Sequence, residues 1–417
     1  MYTILNKIHL GEDQDSIRSS NRSKLLRLLF EKGSIPRNQI AEHIGLTSAS
    51  VTRIVSECMS AGLIIEEKDT LTTGQTGRRP IPIALTPSFY HVIGVHIGTF
   101  WIDVGLMNLR GEMIDRSRYD RPQGTSEEIL YFVKEKVNEI ITKSSQAVLC
   151  IGVTLNAQVD RQAGKVISHN VLGWKNVDLG PWMEQHFQLP CIIDNNIYAM
   201  ALAEYTREPL PPDRALLLLN IGSTIGMGMV INNVLIRGKQ GLTGFLEHLP
   251  WFPEGPECDC GMKGCLTSVL SDRSLLNRAR KIRPNLRISN IHELNAFQQN
   301  DKLLQELVYQ RAEFTGKFLA SLVSLYDPAR VIVGGLEQVD QFEIVKKSYE
   351  ASLIHFSSNY AKVEKPKIQK DVPLTLRGAC TTALHAVFSP SLELSTEFNK
   401  QNYKRLEKIA RLPLNLI

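Results

Sequence analysis

The sequence predicts an α/β protein in which a small, basic, three-helix module precedes a larger body built from a repeated strand–glycine–strand unit. Three observations carry that prediction. Residues 16–85 hold ten Lys/Arg against six acids, which is +4 of the whole chain's +5. An apolar strand, a glycine-bearing turn and a second apolar strand occur at residues 91–114 and again at 215–237. Three of the seven cysteines fall between Cys258 and Cys265, close behind a histidine.

The bulk numbers set the frame. A chain of 417 residues is too long for a single core, so two or three domains are expected. Hydrophobic residues at 43% and charged residues at 22% exclude a disordered or fibrous design. No apolar run is long enough to span a membrane, and the Met1 end lacks a signal-peptide layout, so a cytoplasmic protein without membrane attachment is expected.

The basic module comes first in the chain. Asn21 or Ser23 can cap a helix through Phe30, with Leu25, Leu26, Leu28 and Leu29 as its apolar face and Gly33 as its stop. Ser34 is positioned to cap a second helix with Pro36 in its first turn, Ile40, Ala41 and Ile44 as the buried stripe, and Gly45 at its end. A third helix is expected from Ser48 to Ala61, facing inward through Val51, Ile54, Val55 and Met59 and ending at Gly62. Two helices joined so tightly, the later one with a polar leading edge, form a helix-turn-helix. The leading edge comprises Thr47, Ser48, Ala49, Ser50, Thr52 and Arg53, which are small or hydrogen-bonding and suit close approach to base edges in a major groove. Extended runs at 63–67 and 81–85 flank a glycine-containing tip that bears Arg78 and Arg79, a wing suited to phosphates or a minor groove. A helical hairpin for protein contacts is the alternative, and the concentrated charge and the wing argue against it.

The body follows. The two meanders point to a duplicated α/β architecture with a cleft between lobes. Helical patterns at 126–143, 198–206, 302–325 and 340–361 supply the layers around the sheets, and a third strand–glycine element runs 329–335. His248, Cys258, Cys260 and Cys265 offer one imidazole and three thiolates, the donor set of a closed tetrahedral zinc site, with Gly261 and Gly264 allowing the loop to fold tightly. Four protein ligands make such a site structural. Cys58, Cys150, Cys191 and Cys380 lie in apolar contexts and are read as buried small hydrophobes.

In this order the elements resemble the ROK family (repressors, open reading frames, kinases), in its winged-helix branch of N-acetylglucosamine- and glucose-responsive repressors. The marks are Gly77-Arg78-Arg79-Pro80, the segment Gly244–His248 followed by the cysteine loop, Leu172-Gly173-Trp174, Asp194 with Glu204 downstream, and Pro328 leading to Gly334-Gly335. The resemblance implies a winged helix-turn-helix at residues 1–85. It also implies a two-lobed actin-like (sugar-kinase/ribonuclease H-like) body at 86–417, with a zinc loop at 248–265. It further implies a double-stranded DNA operator as partner, a homodimer or homotetramer, and a small-molecule effector.

Departures from the family kinases bear on activity. Their phosphate turn opens Asp-x-Gly-Gly-Thr, whereas this chain has His96-Ile97-Gly98-Thr99-Phe100, and the second turn at Gly222–Gly226 is only partly kept. The family's Pro-Gly sugar turn is Asn156-Ala157 here, its Asn-Asp pair is Ile193-Asp194, and Phe245 and Thr267 replace two glutamates. Loss of these hydrogen-bonding groups weakens a polyol site by orders of magnitude. A DNA-binding regulator, most simply a repressor and not an enzyme, is therefore expected, with a sugar kinase carrying an extra domain as the alternative. Asp194 occupies the vestigial base position. Asp194, His248 and Asn170 are the candidate effector contacts, unless control passes to a protein partner; Asp194 could also serve as a helix N-cap.

Overall fold

The computed structural model describes residues 14–67, 81–144, 146–211, 213–232, 234–336, 339–353, 360–365 and 372–388. The wing tip with Arg78 and Arg79 lies outside the described residues. The chain divides into two compact units. Unit 1 takes the residues up to Asn195 and those from Leu376 onward, and unit 2 runs from Asn196 to Thr375.

Unit 1 opens with α1 (Gln14–Lys32), β1 (Ile35–Pro36), α2 (Arg37–Ile44), α3 (Ser48–Ser60), β2 (Ile64–Glu66) and β3 (Pro82–Leu85). Gly33, Gly45 and Gly62 adopt φ values of +74°, +67° and +68°, the left-handed conformation that ends a helix without a Cβ penalty. Some details differ from expectation. Asn21 and Ser23 lie inside α1 and not at its N-terminus. Ser34 does not cap α2. Ile35 and Pro36 instead pair with Ile83 and Pro82, so the chain stays extended through Pro36, which itself occupies the N-cap position. Ile40, Val51, Ile54, Val55 and Cys58 are buried, while Met59 is only partly so.

The rest of unit 1 is β4 (Tyr90–Ile97), β5 (Trp101–Asn108), β6 (Met113–Asp120), α4 (Ser126–Lys143), β7 (Ala147–Leu155), β8 (Gln158–Asp160), β9 (Lys165–His169), β10 (Trp174–Val177), α5 (Leu179–Phe187) and β11 (Cys191–Asn195). Five of these strands form a sheet in the order β11-β7-β4-β5-β6, antiparallel through β4, β5 and β6 and parallel from β4 through β7 to β11. One face, with Val95, Ile97, Val104, Val153 and Ile193, packs on Val133 and Val137 of α4 and Met183 of α5. Thr125 and Glu128 start α4 with a capping box.

Unit 2 repeats the plan. Its elements are α6 (Asn196–Arg207), β12 (Ala215–Ile221), β13 (Ile225–Ile231), β14 (Val234–Leu235), α7 (Leu266–Leu270), α8 (Asp272–Ile282), α9 (Ile291–Gln298), α10 (Lys302–Tyr326), β15 (Arg330–Gly334), α11 (Val339–Ser352) and β16 (Val363–Glu364). The sheet order β14-β13-β12-β15-β16 has the same two antiparallel and two parallel pairings as unit 1, so the duplication read in the sequence is a duplication of topology. The helix expected over 340–361 is α11, which ends at Ser352; residues 354–359 lie outside the described residues. The chain returns to unit 1 within α12 (Leu374–Phe388).

A buried acid marks α5. Glu184 is 4% exposed and its Oε1 accepts from the Cys191 backbone N–H at 3.0 Å. Burial pushes its carboxyl up to about 7 from an ordinary 4.5. The folded chain therefore keeps a proton that the unfolded chain sheds, and stability falls as pH rises from 4.5 through 7. Glu184→Gln keeps the acceptor and removes the titration. It should flatten that slope and raise stability at pH 8 by roughly 1–3 kcal/mol, read from thermal unfolding at several pH values. An unchanged slope would show that Glu184 is ionised in the fold.

Candidate functional site

Three groups of residues carry chemistry, and each is set by a local piece of fold. The first is the outer face of α3. Burial of Val51, Ile54, Val55 and Cys58 rotates Thr47, Ser48, Ala49, Ser50, Thr52 and Arg53 outward, and all six are exposed. Thr47 is the N-cap, accepting from the Ser50 backbone N–H at 3.3 Å, and Thr52 donates to the Ser48 carbonyl at 2.8 Å. Ser50 Oγ accepts from the Thr47 hydroxyl at 3.0 Å, which ties the first turn of the helix together. Arg53 pairs with Glu57 at 3.3 Å, and Glu57 also holds Arg18 of α1. The Arg18 guanidinium, more than the opposing burial, keeps the Glu57 carboxyl below its ordinary value. Arg18 is a residue of this face that sequence reasoning missed; its only signal was membership of the basic span.

The second group is a polar row across the unit 1 sheet. Register places Asp194 of β11 opposite Thr154 of β7, Thr154 opposite His96 of β4, His96 opposite Asp103 of β5, and Asp103 opposite Arg118 of β6. Directly paired residues share a face of a sheet, so five strands contribute one side chain each to a single line. Each end is a carboxylate–guanidinium pair. Arg118 grips Asp103 with two bonds of 2.6 and 3.0 Å and lies 4.7 Å above the Trp101 ring. Arg161 stands 3.7 Å from Asp194, whose other oxygen accepts from the Asn195 backbone N–H at 2.9 Å. Asp194 lies on β11, before α6 begins, so it is not the N-cap of that helix.

The middle of the row is neutral. His96 meets Thr154 Oγ1 at 3.3 Å, and burial pushes its imidazole down to about 4. His169, at the end of β9, is likewise pushed down to about 4 by burial, and its Nδ1 accepts from the Leu172 backbone N–H at 3.4 Å. Asn170 is exposed in the turn that follows. Beyond His96 the chain turns tightly, with Gly98 N–H donating to the Trp101 carbonyl at 2.9 Å. Arg121 donates to the Thr99 carbonyl at 2.9 Å, and Phe100 is 64% exposed. In unit 2, the Gly222 turn is braced by Asp272, whose N–H donates to the Gly222 carbonyl at 2.9 Å and whose carboxylate is held at 2.7 Å by the buried Arg311.

The third group is the cysteine loop of unit 2. The ligand atoms of His248, Cys258, Cys260 and Cys265 all lie within 4.8 Å of one another. Cys258 Sγ is 3.5 Å from His248 Nδ1, and Cys260 Sγ is 3.6 Å from Cys265 Sγ. Bonds of about 2.3 Å to sulfur and about 2.1 Å to nitrogen at tetrahedral angles require separations of this size. The loop is built to hold them. Gly264 has φ +68°, and a Cβ there would stand 1.5 Å from the Phe252 carbonyl oxygen, so only glycine fits. Gly261, at φ +87°, donates to the Cys258 carbonyl at 2.8 Å. The Met262 backbone hydrogen bond lowers the Cys260 thiol below its ordinary value, favouring the thiolate that a metal takes. Burial pushes Cys265 of the same loop up to about 12, as it does Cys58, Cys150 and Cys380, with Cys191 well above its ordinary value; the neighbouring donors, not its acidity, set Cys265 apart from the core thiols.

A helix-turn-helix joined to a duplicated sheet with this acid row and thiol loop defines a DNA-binding protein on a sugar-kinase-like, actin-fold body. Residues 92–385 match the ROK family and residues 18–65 match a winged helix-turn-helix DNA-binding domain. The chain belongs to the ROK family. It is 26% identical over 334 residues to the xylose repressor of Caldicellulosiruptor bescii, covering 76% of this chain and 83% of the relative. It is also 26% identical over 332 residues to the N-acetylglucosamine repressor of Escherichia coli O157:H7, covering 77% of this chain and 81% of the relative. A crystal structure of a ROK family transcriptional regulator superposes over 95% of this chain and 100% of that one, with TM-score 0.76 and 21% identity. The ROK hexokinase of Thermus thermophilus covers 71% of this chain and 99% of its own, with TM-score 0.60 and 25% identity. Among the described residues no helix is long and apolar enough to cross a membrane.

Proposed function

We propose that the chain is a sugar-responsive transcriptional repressor that grips a double-stranded operator as a homodimer or homotetramer. The observation that carries this reading is the exposed, small and polar leading face of α3, mounted behind a glycine-ended α2 in a module that matches DNA-binding winged helices. Ser48, Ala49, Ser50 and Arg53 would approach base edges, Thr47 and Thr52 would line the entry, and Arg78 and Arg79 of the wing would reach phosphates. Relatives named for xylose and N-acetylglucosamine repression support a sugar or sugar-derived effector for this chain too. Asp194 and Asn170, both of unit 1, would contact it. His248 with Cys258, Cys260 and Cys265 would hold a structural zinc ion, whose chemistry is to lock the loop and not to turn over substrate.

A sugar kinase is the second reading, favoured by the shared fold and by retention of Asp194. The polar row opposes it. A phosphate turn working with a magnesium nucleotide needs a free acid at its head, and this chain has a neutral, buried His96 there. Arg161 stands against Asp194 and Arg118 is bonded to Asp103, so neither row carboxylate is spare for a metal. With D-xylose, N-acetylglucosamine or glucose present, sugar-dependent ATP consumption should stay at background in the wild type. Consumption that disappears on Asp194→Asn would establish the kinase reading.

A further inference from the structure

The face of the unit 1 sheet that carries the polar row is built in three tiers, and its middle tier is glycine. Gly94 of β4 pairs directly with Gly105 of β5 and with Gly152 of β7, so three glycines lie side by side on one face. α12 rests on them. A methyl on Gly152 would stand 2.2 Å from the Ala379 carbonyl oxygen, one on Gly94 would stand 2.6 Å from the Cys380 backbone nitrogen, and one on Gly105 would stand 3.1 Å from the Leu376 side chain. The helix backbone therefore meets the sheet backbone with almost no side-chain cushion at two of the three positions.

Two residues along each strand to one side of this row stand Asp103, His96 and Thr154, the polar tier that continues to Asp194. Two residues to the other side stand Val92, Met107 and Cys150. These belong to one hydrophobic core with Leu25, Leu29, Ile40, Val51 and Val55 of the helix-turn-helix module and with Cys380, Leu384 and Phe388 of α12. The DNA-binding module is thus built into unit 1, not strung on a linker. Its contacts are specific. The Phe30 ring of α1 lies 5.2 Å from Phe388 and 6.3 Å from His385, and Tyr90 donates to the Ala61 carbonyl at 2.9 Å. Arg110 donates to the Leu85 carbonyl and to Glu67, each at 2.6 Å.

We propose that α12 is the relay between the polar tier and the DNA-binding module. A helix cushioned by long side chains absorbs a small shift at its base through rotamer changes. A helix seated on glycine cannot, because close-packed backbone transmits displacement. A ligand that rearranges Asp194, Thr154 and His96 therefore moves or loosens α12, and the contact of Phe388 with Phe30 carries the change into α1 and so into α3. The use of this relay for operator control rests on the repressor reading, whereas the mechanical link does not.

The test is hydrogen exchange on the full-length chain, without DNA or effector, comparing wild type, Thr154→Val, Phe388→Ala and the double variant. Thr154→Val removes the hydroxyl that His96 meets while keeping the shape. Exchange should quicken about fivefold or more in α12, α1 and α3, with α10 of unit 2 unchanged. In the Phe388→Ala background, α1 and α3 should no longer respond to the Thr154 change. A Thr154→Val response confined to β4 and β7, or one that survives Phe388→Ala intact, overturns the relay. If Thr154→Val fails to fold, His96→Asn takes its place with the same expected and contrary results. Failure of wild-type protein to retain any DNA would remove the repressor reading and leave the exchange result to decide the relay.

Discussion

Replacing Cys265 with serine is expected to release the metal and lower the thermal midpoint by about 10 °C or more. Cys265 is fully buried, is the N-cap residue of α7 and lies 3.6 Å from the Cys260 sulfur. Serine keeps the size but supplies no thiolate, so the remaining three groups face one another without the cation that would neutralise them. Apart from a metal, the loop is tied mainly by backbone bonds, among them Phe252 N–H to the Gly264 carbonyl and Gly264 N–H to the Pro256 carbonyl, and by the Arg273–Asp259 pair. Glu247 and Leu249 accept from Thr267 and Leu266 at 3.0 Å, but the turn around Gly261 and Gly264 consists of backbone bonds open to water on one side. Structural zinc in small domains contributes on the order of 10 kcal/mol, and a loop within a larger unit should recover a few of these. Freshly purified wild type should hold about one zinc per chain by elemental analysis, and the serine variant none. Metal-free wild type with an unchanged melting point would remove the zinc assignment.

Arg311→Ala should destabilise unit 2 by about 3–5 kcal/mol. Arg311 is 1% exposed on α10 and satisfies three acceptors: the Leu270 carbonyl at 2.7 Å, Asp272 at 2.7 Å and the Ile221 carbonyl at 3.5 Å. Truncation strands the end of α7 and a carboxylate that is only 24% exposed, and it frees the Gly222 turn that Asp272 braces. Lysine should not rescue it, because one ammonium cannot present the planar fork that reaches three oxygens at once. The check is the urea midpoint followed by far-ultraviolet circular dichroism. A shift below about 1 kcal/mol would mean that Asp272 and the two carbonyls find water when Arg311 leaves.

Local chemistry was legible in the sequence where neighbours in the chain decide it. Gly33, Gly45 and Gly62 announced three helix ends because a left-handed residue is a local requirement. The four thiol and imidazole ligands were legible for the same reason, since they span one short loop. Alternation within β4 and β7 shows that His96 and Gly94 share a face, but not which residues of other strands lie beside them. That partner register is a long-range property, and it alone creates the row from Asp194 to Arg118 and the glycine tier beneath α12. Ile35 and Pro36 make the same point at small scale. Their local signal was a helix start, and pairing with Ile83, far along the chain, overrode it. Arg161 gave no signal because it sits in an ordinary polar turn. It reaches Asp194 because Gly164 and Gly180 let that turn press against α5, with Gly180 N–H donating to the Gly164 carbonyl at 2.7 Å.

As a repressor, this chain would read DNA with α3 and the wing. The direct measurement is retention of fragmented genomic DNA on the purified full-length protein at moderate salt, followed by affinity for one retained fragment across a salt series. A small set of fragments should recur, sharing a palindrome of two half-sites spaced for a symmetric oligomer. Arg78→Ala with Arg79→Ala should weaken binding and reduce the slope of log affinity against log salt by about two, one for each arginine withdrawn from a phosphate. No sequence-selective retention, or a salt slope unchanged in the double variant, would overturn DNA reading by α3 and the wing.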